Sequence, residues 1–110
     1  MPAQWETIWR FSTARFSIHL DCAHDPYMDL SWDEDGEATR NINAGIWGHY
    51  QFRVAVRING VLIGTDYLGG CIYADPMGFR GDGYFRDMVR QAIKDARAFL
   101  GAMPTLRNAA

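Results

Sequence analysis

Alternating apolar and polar side chains predict strands in the first part of the chain. From residue 15 to residue 22, every second side chain is apolar: Phe16, Ile18, Leu20 and Cys22. A two-residue period of this kind indicates a strand with one buried face. Between Trp5 and Thr13, the alternating side chains fall on odd positions instead. The parity therefore changes between Ser12 and Ala14, and a bulge or a turn there would explain the change.

The segment from Tyr27 to Asp33 is open to two interpretations. Its apolar residues alternate with polar ones over six positions, which is the pattern of a strand. Asp25 followed by Pro26 could instead be the N-cap and first residue of a helix. We favour the strand because the alternation is unbroken. Gly36 to Gly45 is then a loop with at most one helical turn.

Asn59-Gly60 predicts a β-hairpin because it lies between two runs rich in strand-forming residues. These two residue types tolerate the positive φ of a type I′ turn. The expected cross-strand pairs are Ile58 with Val61, Val56 with Ile63, Val54 with Thr65, and Phe52 with Tyr67. The same register places Arg53 opposite Asp66, where the two side chains could form an ion pair.

Apolar residues recur at helical spacing from about Tyr84 to Leu100. Asp82 is the expected N-cap, and Gly101 with Pro104 is expected to end the helix. The apolar stripe needs a partner, which the Phe52 to Ile58 strand face can supply. We therefore predict one α+β domain over residues 1–110. It consists of an antiparallel β-sheet of three to five strands with one C-terminal amphipathic helix packed on one face.

Composition narrows the class of protein further. The chain has 110 residues, of which 48% are hydrophobic, so one core can form without covalent staples. Two cysteines, Cys22 and Cys71, predict free thiols in a reducing compartment. The N-terminus lacks the pattern of a signal peptide, and no apolar run approaches the ~20 residues of a membrane span. We therefore expect a cytoplasmic protein with no membrane partner.

Two segments partly match metal sites. Ser31 to Gly36 has the spacing of a calcium loop, but position 12 of that loop would be Ile42 instead of glutamate. His19, Cys22 and His24 lie close together without the paired spacing of a zinc site. We therefore expect no bound metal and no cofactor.

No local signature marks a catalytic group. A small enzyme centred on Cys71 or His49 is conceivable, because a thiol needs only a nearby histidine base to become a nucleophile. The glycines before Cys71 are more simply explained by a sharp change in chain direction. We therefore expect a protein that is not an enzyme.

Residues 21–37 are strongly acidic, with seven carboxylates and no lysine or arginine, whereas residues 38–110 hold nine basic and five acidic groups. A rigid acidic face could occupy a protein surface that otherwise holds nucleic-acid phosphates. If residues 27–33 form a strand, Asp29 and Asp33 share a face about 13 Å apart. Trp32 could add an aromatic anchor. The expected partner-binding residues are Asp21, Asp25, Asp29, Trp32, Asp33, Glu34, Asp35 and Glu37. The alternative is that this segment is a solvated loop.

The last helix offers a second candidate surface. Its basic residues follow one another at helical spacing: Arg86, Arg90, Lys94 and Arg97. Such a row can contact phosphates. However, Asp87 and Asp95 interrupt it, and the net charge of −2 disfavours direct nucleic-acid binding. The corresponding alternative is a small nucleic-acid-binding accessory protein that uses this basic helix face.

Two motifs in the second half carry a resemblance to known proteins. Tyr67 to Tyr73 reads YLGGC-x-Y, and Asp82 to Val89 reads DGYF-x-DMV. With these motifs, residues from about 50 to 100 resemble small proteins of phages and mobile elements. The resemblance implies no catalytic residues. Size, charge and origin together favour, by analogy, a phage-encoded anti-CRISPR inhibitor in the cytoplasm of the bacterial host.

Such an inhibitor would bind a bacterial CRISPR effector complex, or another DNA-binding defence protein, and block its binding of DNA. Its contact surface would be the DNA-mimicking acidic segment. We expect it to act as a monomer or a homodimer, since an exposed hairpin edge could pair two copies.

Overall fold

The computed structural model describes residues 4–103, which form a four-stranded antiparallel sheet with a helix across one face. The strands are β1 (Glu6–Ser12), β2 (Ser17–His24), β3 (Gly48–Ile58) and β4 (Val61–Tyr73), in that order across the sheet. The helices are α1 (Glu37–Asn43), a 3₁₀ helix (Pro76–Gly81) and α2 (Gly83–Ala102). The predicted α+β class, with a C-terminal helix packed on an antiparallel sheet, is confirmed.

The buried face of β2 is the one that the alternation predicts. Phe16, Ile18, Leu20 and Cys22 are all buried in the core. A turn joins β1 to β2, closed by hydrogen bonds between Thr13 and Phe16. The register also shifts between Thr7 and Trp9. The chain therefore contains both the expected turn and a bulge that the pattern did not locate.

The hairpin turn is confirmed, but most of the predicted register is wrong. Asn59 and Gly60 have φ values of 48° and 79°, and Ile58 lies opposite Val61 as expected. A bulge after that pair moves β4 by one residue relative to β3, so Val56 lies opposite Gly64. Beyond the bulge the observed pairs are Val54 with Asp66, Arg53 with Tyr67, and Phe52 with Leu68.

The bulged strand places Gly64 where α2 approaches the sheet closely. A Cβ atom at Gly64 would overlap the carbonyl oxygen of Ala92 and lie 2.8 Å from the backbone nitrogen of Ala96. Only glycine fits at this point of contact, so the sheet must present residue 64 to the helix. Because Arg53 then lies opposite Tyr67, its ion-pair partner is Asp21 on β2 and not Asp66.

The C-terminal helix agrees closely with the prediction. The carboxylate of Asp82 accepts a hydrogen bond from the backbone N–H of Tyr84, as an N-cap does. The helix buries four residues against the sheet: Met88, Ala92, Ala96 and Leu100. It extends to Ala102, so Gly101 lies inside the helix instead of just after it, and Pro104 lies outside the described residues. No helix within residues 4–103 is both long and apolar enough to cross a bilayer.

The segment from Tyr27 to Asp33 is irregular, so both the favoured strand and the alternative helix are wrong. Asp25 and Asp29 explain this outcome. Each accepts a hydrogen bond from the backbone N–H two residues later, at Tyr27 and Ser31 respectively. These local bonds satisfy backbone groups that a strand would pair with a neighbour. The loop predicted from Gly36 to Gly45 contains α1, which spans two turns instead of one.

The contact at Gly64 gives a direct test of the fold. We expect Gly64→Ala to lower the free energy of unfolding by about 1–3 kcal/mol, because the added methyl group must displace the backbone of α2. Urea denaturation followed by circular dichroism measures the change. Gly101→Ala is the matched control, since its Cβ would enter open space within a helix and should leave stability unchanged or raise it by up to about 1 kcal/mol. Equal urea midpoints for Gly64→Ala and the wild type would contradict this account.

Candidate functional site

The fold divides the seven carboxylates of the acidic segment into structural and exposed groups. Asp21 and Asp25 are buried, and Asp33 is half-buried. Four carboxylate residues are exposed: Asp29, Glu34, Asp35 and Glu37. Trp32, the predicted aromatic anchor, lies among the exposed group with 60% of its surface accessible. The candidate site therefore covers only residues 29–37 of the acidic segment.

Asp21 lies on the side of the sheet opposite α2 and is only 1% exposed. Its Oδ2 accepts hydrogen bonds from Nη2 and Nε of Arg53 at 2.7 and 2.9 Å. Its Oδ1 accepts one from the hydroxyl of Thr7 at 2.6 Å. Both oxygens are thus used within the sheet, and the charge is neutralised. The expectation that Asp21 belongs to a partner-binding surface does not fit this burial.

Asp25 fastens the start of the acidic segment to the ends of β3 and β4. Its Oδ2 accepts the backbone N–H of Gly70 at 2.8 Å, and its Oδ1 accepts that of Tyr27 at 3.0 Å. Its backbone is joined to His49 by two further hydrogen bonds, one to the carbonyl oxygen and one to Nδ1. Burial raises the pKa of the Asp25 carboxyl, but the N–H donors outweigh it and hold the pKa below its usual value. Asp25 is therefore an anchor within the fold, and, like Asp21, it is too deeply buried to offer much surface to a partner.

Asp33 holds the start of α1. Its carboxylate accepts hydrogen bonds from the backbone N–H groups of Ala38 and Thr39 and from the Thr39 hydroxyl, at 2.7 to 3.2 Å. The Thr39 hydroxyl and the backbone donors lower the pKa of the Asp33 carboxyl. The chain enters α1 through Gly36, whose φ of 73° favours glycine. The main role of Asp33 is therefore to fix the backbone at the start of α1, and its carboxylate is already hydrogen-bonded within the chain.

Three of the four exposed carboxylates, those of Glu34, Asp35 and Glu37, line an open groove of about 760 Å³. The acidic wall comprises Trp32, Asp33, Glu34, Asp35, Glu37 and Ala38, and the opposite wall comprises Trp47, Ile72, Tyr73 and Ala74. None of these lining residues is basic. Arg40 lies next to the acidic wall, where its Nη1 donates to the carbonyl oxygen of Asp35 at 2.9 Å. The site is thus an acidic cleft with a half-buried and an exposed indole.

This arrangement suits a cationic ligand. A guanidinium or ammonium group can lie over the face of Trp32 while it pairs with the carboxylates of Glu34 and Glu37. Besides the carboxylates, Tyr73 is the ionisable side chain among the lining residues of the groove. The hydroxyl of Tyr73 donates to Asp82 at 2.8 Å, and burial together with this carboxylate raises the pKa of Tyr73 far above its usual value. Tyr73 therefore serves as a wall and not as a proton donor to a ligand.

The sequence did not identify the second wall of the groove. Tyr73 ends β4, far along the chain from the acidic segment, whereas Trp47 lies between α1 and β3. Only the antiparallel pairing of Gly48 with Tyr73 brings these ends together. An isolated tryptophan beside a glycine carries no signal of its own. The wall could therefore be found only from the fold.

Neither cysteine has the character of an activated thiol. Cys22 is buried and Cys71 is half-buried, and burial raises the pKa of both thiols. Nearby carboxylates raise the pKa further, at Cys71 those of Asp25 and Asp82. Within residues 4–103, no three His, Cys, Asp or Glu side chains converge as metal ligands.

The basic row on α2 is a solvated helix face. Its four members, Arg86, Arg90, Lys94 and Arg97, are all exposed. Arg90 lies 3.7 Å from Asp87, and both side chains are more than two-thirds exposed. An ion pair of this kind contributes little stability. Arg86 and Arg90 also line an open cleft at the start of the helix, together with Arg80, Asp82 and Phe85.

No protein-family model, curated protein or solved structure matches this chain. The resemblance of residues 50–100 to small proteins of phages and mobile elements therefore stays a prediction. The case for function rests on the geometry of the acidic groove.

The anchoring role of Asp25 predicts a pH-dependent loss of stability. Because its pKa is lower in the folded protein, the stabilisation is complete above about pH 4, the ordinary aspartate value, and is lost as the pH falls through the folded-state pKa. Asp25→Asn should lower the free energy of unfolding by about 1–3 kcal/mol at pH 7, since an amide nitrogen cannot accept from Gly70 or Tyr27. The difference from wild type should shrink at pH 3. Urea denaturation at both pH values measures it.

Asp87→Asn is the matched control for this experiment, because the same substitution is made at an exposed residue. It should change stability by less than about 0.5 kcal/mol at either pH. An Asp25→Asn effect of equal size at pH 3 and pH 7 would show that the charge of Asp25 does not anchor the segment.

Proposed function

We propose that this protein is a phage-encoded anti-CRISPR inhibitor that binds a basic surface of a bacterial CRISPR effector complex through its acidic groove. The site of action is the cytoplasm of the bacterial host. The observation that carries the proposal is the groove itself, where exposed Trp32 lies among Glu34, Asp35 and Glu37 with no basic lining residue. Another DNA-binding defence protein with the same surface chemistry is an equivalent partner.

The chemistry of the partner follows from the groove. Proteins that hold nucleic acid present lysine and arginine to the phosphates. Arginine suits this groove best, because its planar guanidinium both stacks on an indole and forms paired hydrogen bonds with a carboxylate. A protein that occupies such a surface prevents DNA from reaching it. The acidic patch also steers the two proteins together at low salt.

The groove supports tight binding because it is held in shape before the partner arrives. Asp25 fixes the segment to the sheet, and Asp33 fixes the start of α1. The carboxylates of Glu34, Asp35 and Glu37 follow directly from these two anchors. A partner therefore does not have to order a flexible loop, which would otherwise reduce its affinity.

The interface is smaller than the acidic segment suggested. Since Asp21 and Asp25 are enclosed, the mimicry is confined to residues 29–37. Duplex DNA carries one charge per about 1.7 Å of axis, so four exposed carboxylates correspond to only a few phosphates. The proposed inhibitor thus blocks one short stretch of a DNA-binding surface instead of replacing a long duplex.

The test uses a purified CRISPR effector complex and measures both capture and DNA binding. We expect the wild-type protein to bind the complex at about 50 mM salt, to release it at high salt, and to reduce its binding of target DNA. Glu34→Gln combined with Glu37→Gln should weaken capture at least tenfold, because the cationic side chains lose their partners. Trp32→Ala should have a similar effect. The control, Glu6→Gln combined with Asp87→Asn, removes the same charge at exposed residues outside the groove.

Circular dichroism establishes that each variant is folded. Folded groove variants that capture the complex as well as the wild type would exclude the groove as the interface. Weakening by the control variant to the same degree would show that net charge alone is responsible. Failure to capture the complex, together with nucleic-acid binding that Arg90→Gln combined with Lys94→Gln weakens, would favour the accessory-protein alternative.

A further inference from the structure

The side of the sheet opposite α2, here called the open face, carries a second pattern of charge and aromatic residues. The pairing of Leu20 with Val54 and of Ile18 with Val56 puts these residues in the core. Their neighbours along each strand therefore point to the open face. Arg10, His19, Arg53, Arg57 and Tyr67 occupy this face by register.

The open face is positively charged, although the chain as a whole is acidic. By register, the described strands place one carboxylate on this face, Asp21, and Arg53 already neutralises it. Arg10 is exposed and Arg57 is half-buried, and neither has an ion-pair partner among the described residues. The fold thus separates a basic surface from the acidic groove, which the sequence alone could not reveal.

The pKa of His19 reflects the positive charge of this surface. Burial lowers the pKa of His19, and the charges of Arg57, Arg10 and Arg53 lower it further, while Asp21 alone opposes them. Its Nε2 lies 2.8 Å from the hydroxyl of Ser17. Three arginines from two strands therefore act on one point of the face, and an anion placed there would be attracted.

Two aromatic rings lie beside these charges. The rings of Trp5 and Tyr67 approach to 5.9 Å between centroids, and the guanidinium carbon of Arg53 lies 4.9 Å from the Trp5 centroid. Both rings therefore lie beside Arg53 of the Arg53–Asp21 ion pair. Tyr67 is nevertheless 57% exposed, so one of its surfaces is free to stack against a planar group.

We propose that the open face binds single-stranded nucleic acid, with bases stacked on Tyr67 and Trp5 and phosphates held by Arg57 and Arg10. Aromatic side chains on a sheet accept unstacked bases, and neighbouring cations track the backbone. Arg57 and Arg53 lie four residues apart on β3, or about 13 Å. A face of this size accommodates about two or three bases. Duplex DNA hides its bases and cannot use the aromatic pair.

Fluorescence anisotropy with a labelled oligothymidine of 12 nucleotides tests this proposal against a duplex of equal length. We expect the single strand to bind at least fivefold more tightly than the duplex at about 50 mM salt. Tyr67→Ala should weaken binding at least fivefold, the usual effect of removing one stacking aromatic. Arg10→Gln combined with Arg57→Gln should weaken it further and reduce the steepness of log affinity against log salt by about 1.4.

The matched control is Arg90→Gln combined with Lys94→Gln, which removes the same charge from the exposed face of α2. It should leave oligonucleotide affinity within about twofold of the wild type. The groove variant with Glu34→Gln and Glu37→Gln should not weaken oligonucleotide binding either. This result separates the open face from the proposed inhibitory groove, so either proposal can fail alone.

Nuclear magnetic resonance of the His19 ring gives a second readout. Phosphates bound near Arg57 and Arg10 would favour the charged imidazolium, so the pKa of His19 should rise when the oligonucleotide is added. The proposal would be overturned by duplex binding as tight as single-strand binding, by sheet variants with wild-type affinity, or by a His19 pKa that the oligonucleotide does not move. Absence of oligonucleotide binding at 50 mM salt would also overturn it.

Discussion

The close contact between α2 and β4 sets much of the rest of the structure. At Gly64 the two backbones approach so closely that no side chain fits between the sheet and Ala92. The bulge that presents Gly64 to the helix moves β4 by one residue against β3. Arg53 consequently lies opposite Tyr67 instead of Asp66, and its ion-pair partner is Asp21, which faces it from β2. One packing constraint in the core thus decides which side chain of β4 lies beside the buried Arg53–Asp21 ion pair.

The acidic segment shows how a chain can concentrate charge without unfolding. Two of its carboxylates, Asp25 and Asp33, accept hydrogen bonds from several backbone donors and so act as structural groups. Those donors stabilise the ionised forms, which lowers the electrostatic cost of gathering like charges. The remaining carboxylates stay exposed beside Trp32. The segment is therefore a solvated loop, as the alternative interpretation holds, and it also forms one side of a preformed groove.

The sequence pattern correctly predicted those secondary-structure elements that depend on residues close together in the chain. The alternation around Ile18 and Leu20, the Asn59-Gly60 turn and the stripe of α2 all depend on neighbouring residues, and the structure confirms them. The hairpin register failed because it depends on a contact between Gly64 and a helix far along the chain. The strand predicted for residues 27–33 is wrong because aspartate side chains accept hydrogen bonds from backbone N–H groups there, although the apolar residues alternate as in a strand. For the candidate site, the sequence located the acidic wall but could not supply Trp47 and Tyr73.

The antiparallel sheet also gives the molecule two electrically different ends. Asp25 and the groove lie where Gly48 pairs with Tyr73, whereas Arg57 and the turn between β1 and β2 lie at the hairpin end, about 30 Å away along β3. Charge separated over such a length amounts to a permanent dipole moment, which experiences a torque in an external field. Such a field would tend to turn the hairpin end towards negative charge and the groove towards positive charge.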